Sequence, residues 1–134
     1  MADFCDFATL KLSWKPNQFL MLPPGLECPA EAHAASPVFG DEPAALFDRL
    51  KAAIGGEPRI EWLAEDREGG RMELVQRSKT FRFPDRISIA VLPSASGDGS
   101  ALAVYSRAKV GIRDFGVNKA RIERWVAALQ QPGG

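Results

Sequence analysis

Apolar residues recur at helical spacing in two places. Leu46, Phe47, Leu50, Ala53 and Ile54 fall on one face of a helix that opens near Pro43. Asp41 or Glu42 can cap it, and proline suits a first turn. Gly55-Gly56 stops it, since glycine accepts the left-handed backbone that often follows a helix end. Ile122, Trp125, Val126 and Leu129 form a second stripe, on a helix from about Lys119 that Pro132-Gly133-Gly134 closes. Between the helices the period is two. Ile60, Trp62 and Ala64 alternate, then Met72 and Leu74, then Ile87, Ile89 and Val91, then Leu102 and Val104. "REGG", Pro84-Asp85 and "SASGDGS" read as the intervening turns. Phe81 and Phe83 are out of step with Met72 and Leu74, which predicts a bulge or break near Lys79.

The stretch before the first helix has no such period. Pro16, Pro23, Pro24, Pro29, Pro37 and Pro43 forbid a long helix there. "FLML", Phe19 to Leu22, cannot stay in water cheaply, so it lies across the fold as an extended strap or edge strand. The expected organisation is a proline-rich arm over 1–40 packing on one α+β domain over 41–134. That domain reads α-β-β-β-β-α, with a four-stranded antiparallel sheet and two helices on one face.

Composition narrows the function classes. A net charge of +0 and a pI near 6.6 argue against a general nucleic-acid binder. No run approaches the roughly 20 apolar residues of a membrane span, and the first residues lack a secretory pattern, so a cytoplasmic protein is expected. Cys5 and Cys28 lack zinc-knuckle spacing and read as free thiols, with a disulfide as the alternative.

Standard catalytic and cofactor patterns are missing. His33, the one histidine, reads as an exposed bystander, so a serine or cysteine hydrolase of the usual type is not expected. There is no phosphate loop and no dinucleotide fingerprint, and no cofactor or metal is expected. Asp66, Asp85 and Asp98 do not have calcium-loop spacing. Glu61, Glu65 and Glu73 read as a solvated sheet face. Trp62 and Trp125 belong to apolar stripes, and Tyr105 faces away from Leu102 and Val104, beside Arg107.

The most informative stretch is "YSRAKVGIRDFGVNKARIERW", from Tyr105 to Trp125. Asn118 suits an N-cap, Val117 and Ile122 a hydrophobic staple, and Phe115 a core plug. Gly116 stands where the chain must turn sharply, which predicts a positive φ. Lys119 and Arg121 sit in the first turn, where cations are disfavoured. Two resolutions present themselves. One is internal pairing, Asp114 with Arg121 or Arg107 and Glu123 with Lys119; the other is an external anion held by helix N–H groups and arginine forks.

This stretch resembles the signature of the domain of unknown function 1499 family, at Ser106, Arg107, Gly111, Asp114, Gly116, Asn118, Arg121 and Ile122. "WKPNQFLMLPPG" and "FRFPD" resemble two further segments of that mainly bacterial family. The resemblance implies no settled activity.

Three readings follow. The leading one is a non-enzymatic binding or accessory protein with an anion-binding corner of Tyr105, Ser106, Arg107, Arg113, Asp114, Asn118 and Arg121. Its partner would be an anionic small molecule, a lipid head group or an acidic peptide. The second is an enzyme, with Arg107 and Arg121 orienting an anionic substrate and Asp114 as base. The third is a structural protein-interaction domain in which the corner is a folding staple. Arginines exposed beside a concave pocket favour the first two; arginines fully engaged internally favour the third.

Overall fold

The alternating segments become strands because each carries apolar residues on one side only, and pairing them in chain order buries that side. The computed structural model describes residues 4–130. The elements are β1 (Gln18–Leu22), β2 (Ala34–Ala35), α1 (Pro43–Gly55), β3 (Ile60–Asp66), β4 (Arg71–Arg77), β5 (Pro84–Pro93), β6 (Ser100–Ala108) and α2 (Val117–Leu129). The expected stop at Pro132-Gly133-Gly134 lies outside the described residues.

The architecture is α+β, but the sheet has six strands rather than four, in the order β2-β1-β6-β5-β4-β3. β3 to β6 form the expected antiparallel meander. "FLML" adds the rest: β1 pairs antiparallel with β6 and parallel with β2, which makes the sheet mixed. The proline-rich stretch hid this. Prolines bracket β1 without entering it, and a two-residue strand leaves no periodic trace.

Two other local expectations are corrected. Pro84-Asp85 is not a turn but the start of β5; the chain reverses over 78–83, which explains why Phe81 and Phe83 follow neither neighbouring strand. The break expected near Lys79 is this reversal, and a separate bulge lies in β3, between Trp62 and Ala64. Gly56 ends α1 with φ −82°, so no left-handed residue is used there.

Strand alternation splits the interior into two layers. On one side of the sheet Leu46, Phe47, Leu50 and Ile54 of α1, with Ile122, Trp125 and Leu129 of α2, meet Met72, Leu74, Ile87, Ile89, Leu102 and Val104. On the other side Leu20, Leu22, Ala90, Ala103 and Tyr105 are covered by Phe7, Leu10, Leu12, Leu26 and Ala32. The proline-rich segment therefore supplies the second cover of a sheet whose first cover is helical. Burying apolar side chains of this size contributes about 1.5–3 kcal/mol each. Glu73 lies in this second layer, 1% exposed, and not on a solvated face. It accepts hydrogen bonds from the Cys5 N–H (2.8 Å), Arg86 Nε (2.8 Å) and Ser88 Oγ (2.7 Å), the partners a buried carboxylate requires.

Candidate functional site

The seven residues of the expected corner do not share one surface. β6 sends Ser106 toward the helices and Tyr105 and Arg107 toward the arm, because successive side chains alternate across a sheet. On the arm side the Arg107 guanidinium lies 4.5 Å from the Tyr105 ring centroid and donates to Ser88 Oγ (2.7 Å) and the Tyr105 carbonyl (3.1 Å). The Tyr105 hydroxyl donates to Gln18 Oε1. Burial lowers the Arg107 pKa from its ordinary value and raises that of Tyr105.

Ser106, Asn118 and Arg121 meet on the helix side. Arg121 is 4% exposed, yet each guanidinium nitrogen has a partner. Nε donates to Gln76 Oε1 (2.6 Å), one terminal nitrogen to Asn118 Oδ1 (2.7 Å) and Ser106 Oγ (3.1 Å), and the other to Asp85 Oδ2 (2.9 Å). Burial lowers its pKa, with Asp85 opposing. Asp114 contacts neither arginine. Its carboxylate accepts from the Gly116 N–H (3.0 Å), the Asn118 N–H (3.0 Å) and Asn118 Nδ2 (2.6 Å). The counter-charge for Arg121 is Asp85.

The helix entry differs from expectation in three ways. Gly116 is the N-cap, with φ 83° as expected from its position, and Asn118 lies inside the first turn. Phe115 plugs nothing: it is 92% exposed, with φ 54°. Val117 is about half exposed, so it forms no staple over the buried Ile122. Lys119 and Glu123 make no ion pair. Arg113 is exposed at the edge of a 280 Å³ hollow that Phe83, Val110, Phe115 and Val117 also line. His33 is exposed but is no bystander: Nδ1 accepts from the Leu20 N–H at 2.9 Å and the ring stacks on Phe19.

A second concavity, outside the corner expected from the sequence, opens beside Arg121. It measures 410 Å³ and gathers Arg59, Arg77, Arg121 and Arg124 around Glu57 and Gln76. Three of these arginines have internal carboxylates: Arg77 meets Glu61 (3.4 Å), Arg121 meets Asp85, and Arg124 meets Glu57. Arg59 has only a backbone partner, Nε donating to the Arg77 carbonyl (2.9 Å), and it makes no ion pair among the described residues. Its φ of 58° is a sparsely populated conformation for a residue with a side chain. The Glu57 carboxyl is pulled down to about 2, chiefly by hydrogen bonds from Arg124 and secondarily by Gln76. These arginines come from the turn before β3, the end of β4 and α2, and no spacing in the sequence announces such a convergence.

Among the described residues no helix is long and apolar enough to cross a membrane. Cys5 and Cys28 are both unpaired. A family model described as "Protein of unknown function (DUF1499)" matches residues 11–129. No curated protein and no solved structure matches the chain.

Proposed function

The chain belongs to the DUF1499 family of proteins of unknown function, and from that premise we propose a non-enzymatic binding or accessory protein that takes an anionic partner in the arginine-lined cleft. The observation that carries this reading is the convergence of Arg59, Arg77, Arg121 and Arg124 on one 410 Å³ cleft. Within it Arg59 has no carboxylate of its own. A guanidinium offers a rigid fork of donors that matches phosphate and carboxylate oxygens.

The division of labour is then plain. Arg121 is buried and satisfied, so it contributes charge from behind; Arg59, with Arg77 and Arg124 at the rim, would make the direct contacts. The corner expected from the sequence favours a folding staple, since Arg107 and Arg121 are engaged internally: Ser106, Asn118 and Asp114 hold Arg121 and its helix in place. Tyr105 and Arg107 serve the arm side of the sheet. Arg113 belongs to the neighbouring hollow. The enzyme reading is weaker, because its base, Asp114, has its oxygens engaged by three N–H groups of its own helix entry. The free thiols of Cys5 and Cys28 favour a reducing, cytoplasmic setting.

Thermal denaturation with pyrophosphate, compared with chloride at matched ionic strength, tests the reading. The parent should melt higher in pyrophosphate, since an anion that binds the folded state alone stabilises it. Arg59→Gln should lose most of that rise. No rise in the parent, or an equal rise in Arg59→Gln, overturns the cleft assignment.

A further inference from the structure

Six of the eight large apolar side chains that the described residues leave exposed lie on two adjoining loops. Phe81 and Phe83 sit on the β4–β5 turn, and Val110, Ile112, Phe115 and Val117 lie between β6 and α2 and at the start of that helix. Backbone contact ties the loops together, the Lys109 N–H donating to the Pro84 carbonyl at 3.0 Å. Phe83, Val110, Phe115 and Val117 line the same hollow. Scattered exposed apolar residues need no explanation, whereas a contiguous patch marks an interaction surface.

Two details strengthen that conclusion. Phe115 is 92% exposed with φ 54°, and Phe81 is 72% exposed and stacked on Phe83, ring centroids 5.4 Å apart. A phenylalanine held in left-handed backbone and almost wholly in water does nothing for the fold, and that conformation is itself costly for a bulky residue.

The charge around the patch selects the partner. The same two loops carry Lys79, Arg82, Lys109 and Arg113, all exposed. None makes an ion pair among the described residues. Their one acid, Asp114, is taken up by its own helix entry. Protruding aromatic tips ringed by unpaired cations match the surface of an anionic bilayer, where apolar side chains enter the acyl boundary and Lys or Arg stay with the head groups.

We infer that this end of the molecule docks on anionic lipid bilayers, with Phe81 and Phe115 entering the interface and the surrounding cations on the phosphates. The inference rests on the anion-binding reading, because the hollow and the arginine cleft share Ser78, Val117 and Arg121, which places a head group within reach of Arg59.

Flotation with phosphatidylglycerol–phosphatidylcholine vesicles, against pure phosphatidylcholine, tests it. The parent should float with the anionic vesicles alone, and less so as salt rises. Phe81→Ser/Phe115→Ser should bind at least about tenfold more weakly with its melting temperature unchanged, since both side chains are exposed. Lys109→Ala should weaken binding by about fivefold. No flotation of the parent with anionic vesicles overturns the inference, and so does equal flotation of the double variant. A pyrophosphate response that persists in either case leaves the cleft reading standing; its loss removes both. Self-association of the parent that the double variant abolishes, in place of vesicle binding, assigns the patch to a second copy of the chain and overturns the bilayer.

Discussion

The guanidinium of Arg121 reaches Asp85, 2.9 Å away on β5, and leaves Asp114, seven residues before it in the chain, to cap the helix that carries Arg121. The buried charge of Arg121 is thus balanced across the fold and not within the helix entry. Two carboxylates that look interchangeable in sequence have different duties: Asp85 neutralises a buried cation, and Asp114 satisfies backbone N–H groups. The stabilities of their variants should differ accordingly. Asp85→Ala leaves the buried Arg121 unpaired and should cost about 3 kcal/mol or more. Asp114→Ala removes a capping interaction and should cost about 1 kcal/mol. Urea denaturation of both checks the order, and equal losses or the reverse order would contradict the assignment.

Gly116 opens α2 with φ 83°, and nothing lies within 4 Å of where a Cβ would stand. The penalty for Gly116→Ala is therefore conformational, about 1 kcal/mol. Gly116→Asn should be milder, because asparagine tolerates the left-handed region better. A chemical-denaturation midpoint for Gly116→Ala equal to the parent's would show that the turn adapts.

Glu57 makes stability depend on acid. Its carboxyl lies at about 2 in the folded chain against 4.5 ordinarily, because Arg124 and Gln76 favour its charged form. A depressed folded pKa gives stability that is full above pH 4.5 and is lost as pH falls toward about 2. Arg124→Met should be less stable than the parent at neutral pH, and the gap should close across that window. A gap that stays constant from neutral pH down to 3 would assign it to packing.

β1 is an interior strand, and its removal should be far worse than loss of a terminal tail. Deleting residues 1–24 exposes the edge of β6 and uncovers Ala103 and Tyr105. The truncated chain should lose cooperative melting and aggregate. A cooperative transition at the parent's temperature would show that the sheet is self-sufficient without β1.

What could be read in the sequence follows the range of the interactions involved. The helices and the meander were legible because amphipathic period is local: Leu46 to Ile54 and Ile87 to Val91 each declare one buried face. Gly116 was legible because a turn into a helix is local too. The pairing of β1 with β6 joins residues more than eighty positions apart, Gln18 to Arg107, and only a tertiary contact reports it. The candidate site was half legible. The density of arginine before Trp125 points to the end of the molecule where the proposed cleft lies. Alternation along β6 could have separated Tyr105 and Arg107 from Ser106. Arg59 and Arg77 come from the turn before β3 and the end of β4, and Glu73 looks like any solvated glutamate until an arm residue, Cys5, covers it.

The central claim is that an anion sits among Arg59, Arg77, Arg121 and Arg124. Titrating the ¹⁵N-labelled chain with pyrophosphate at constant ionic strength tests it most directly, residue by residue. Saturable shifts should concentrate on the backbone amides of Glu57, Arg59, Gln76, Arg77, Val117 and Arg124 and on the Arg59 side-chain Nε–H, while the arm-side amides of Tyr105 and Arg107 stay still. Shifts centred on Tyr105 and Arg107, or none that saturate, would contradict it.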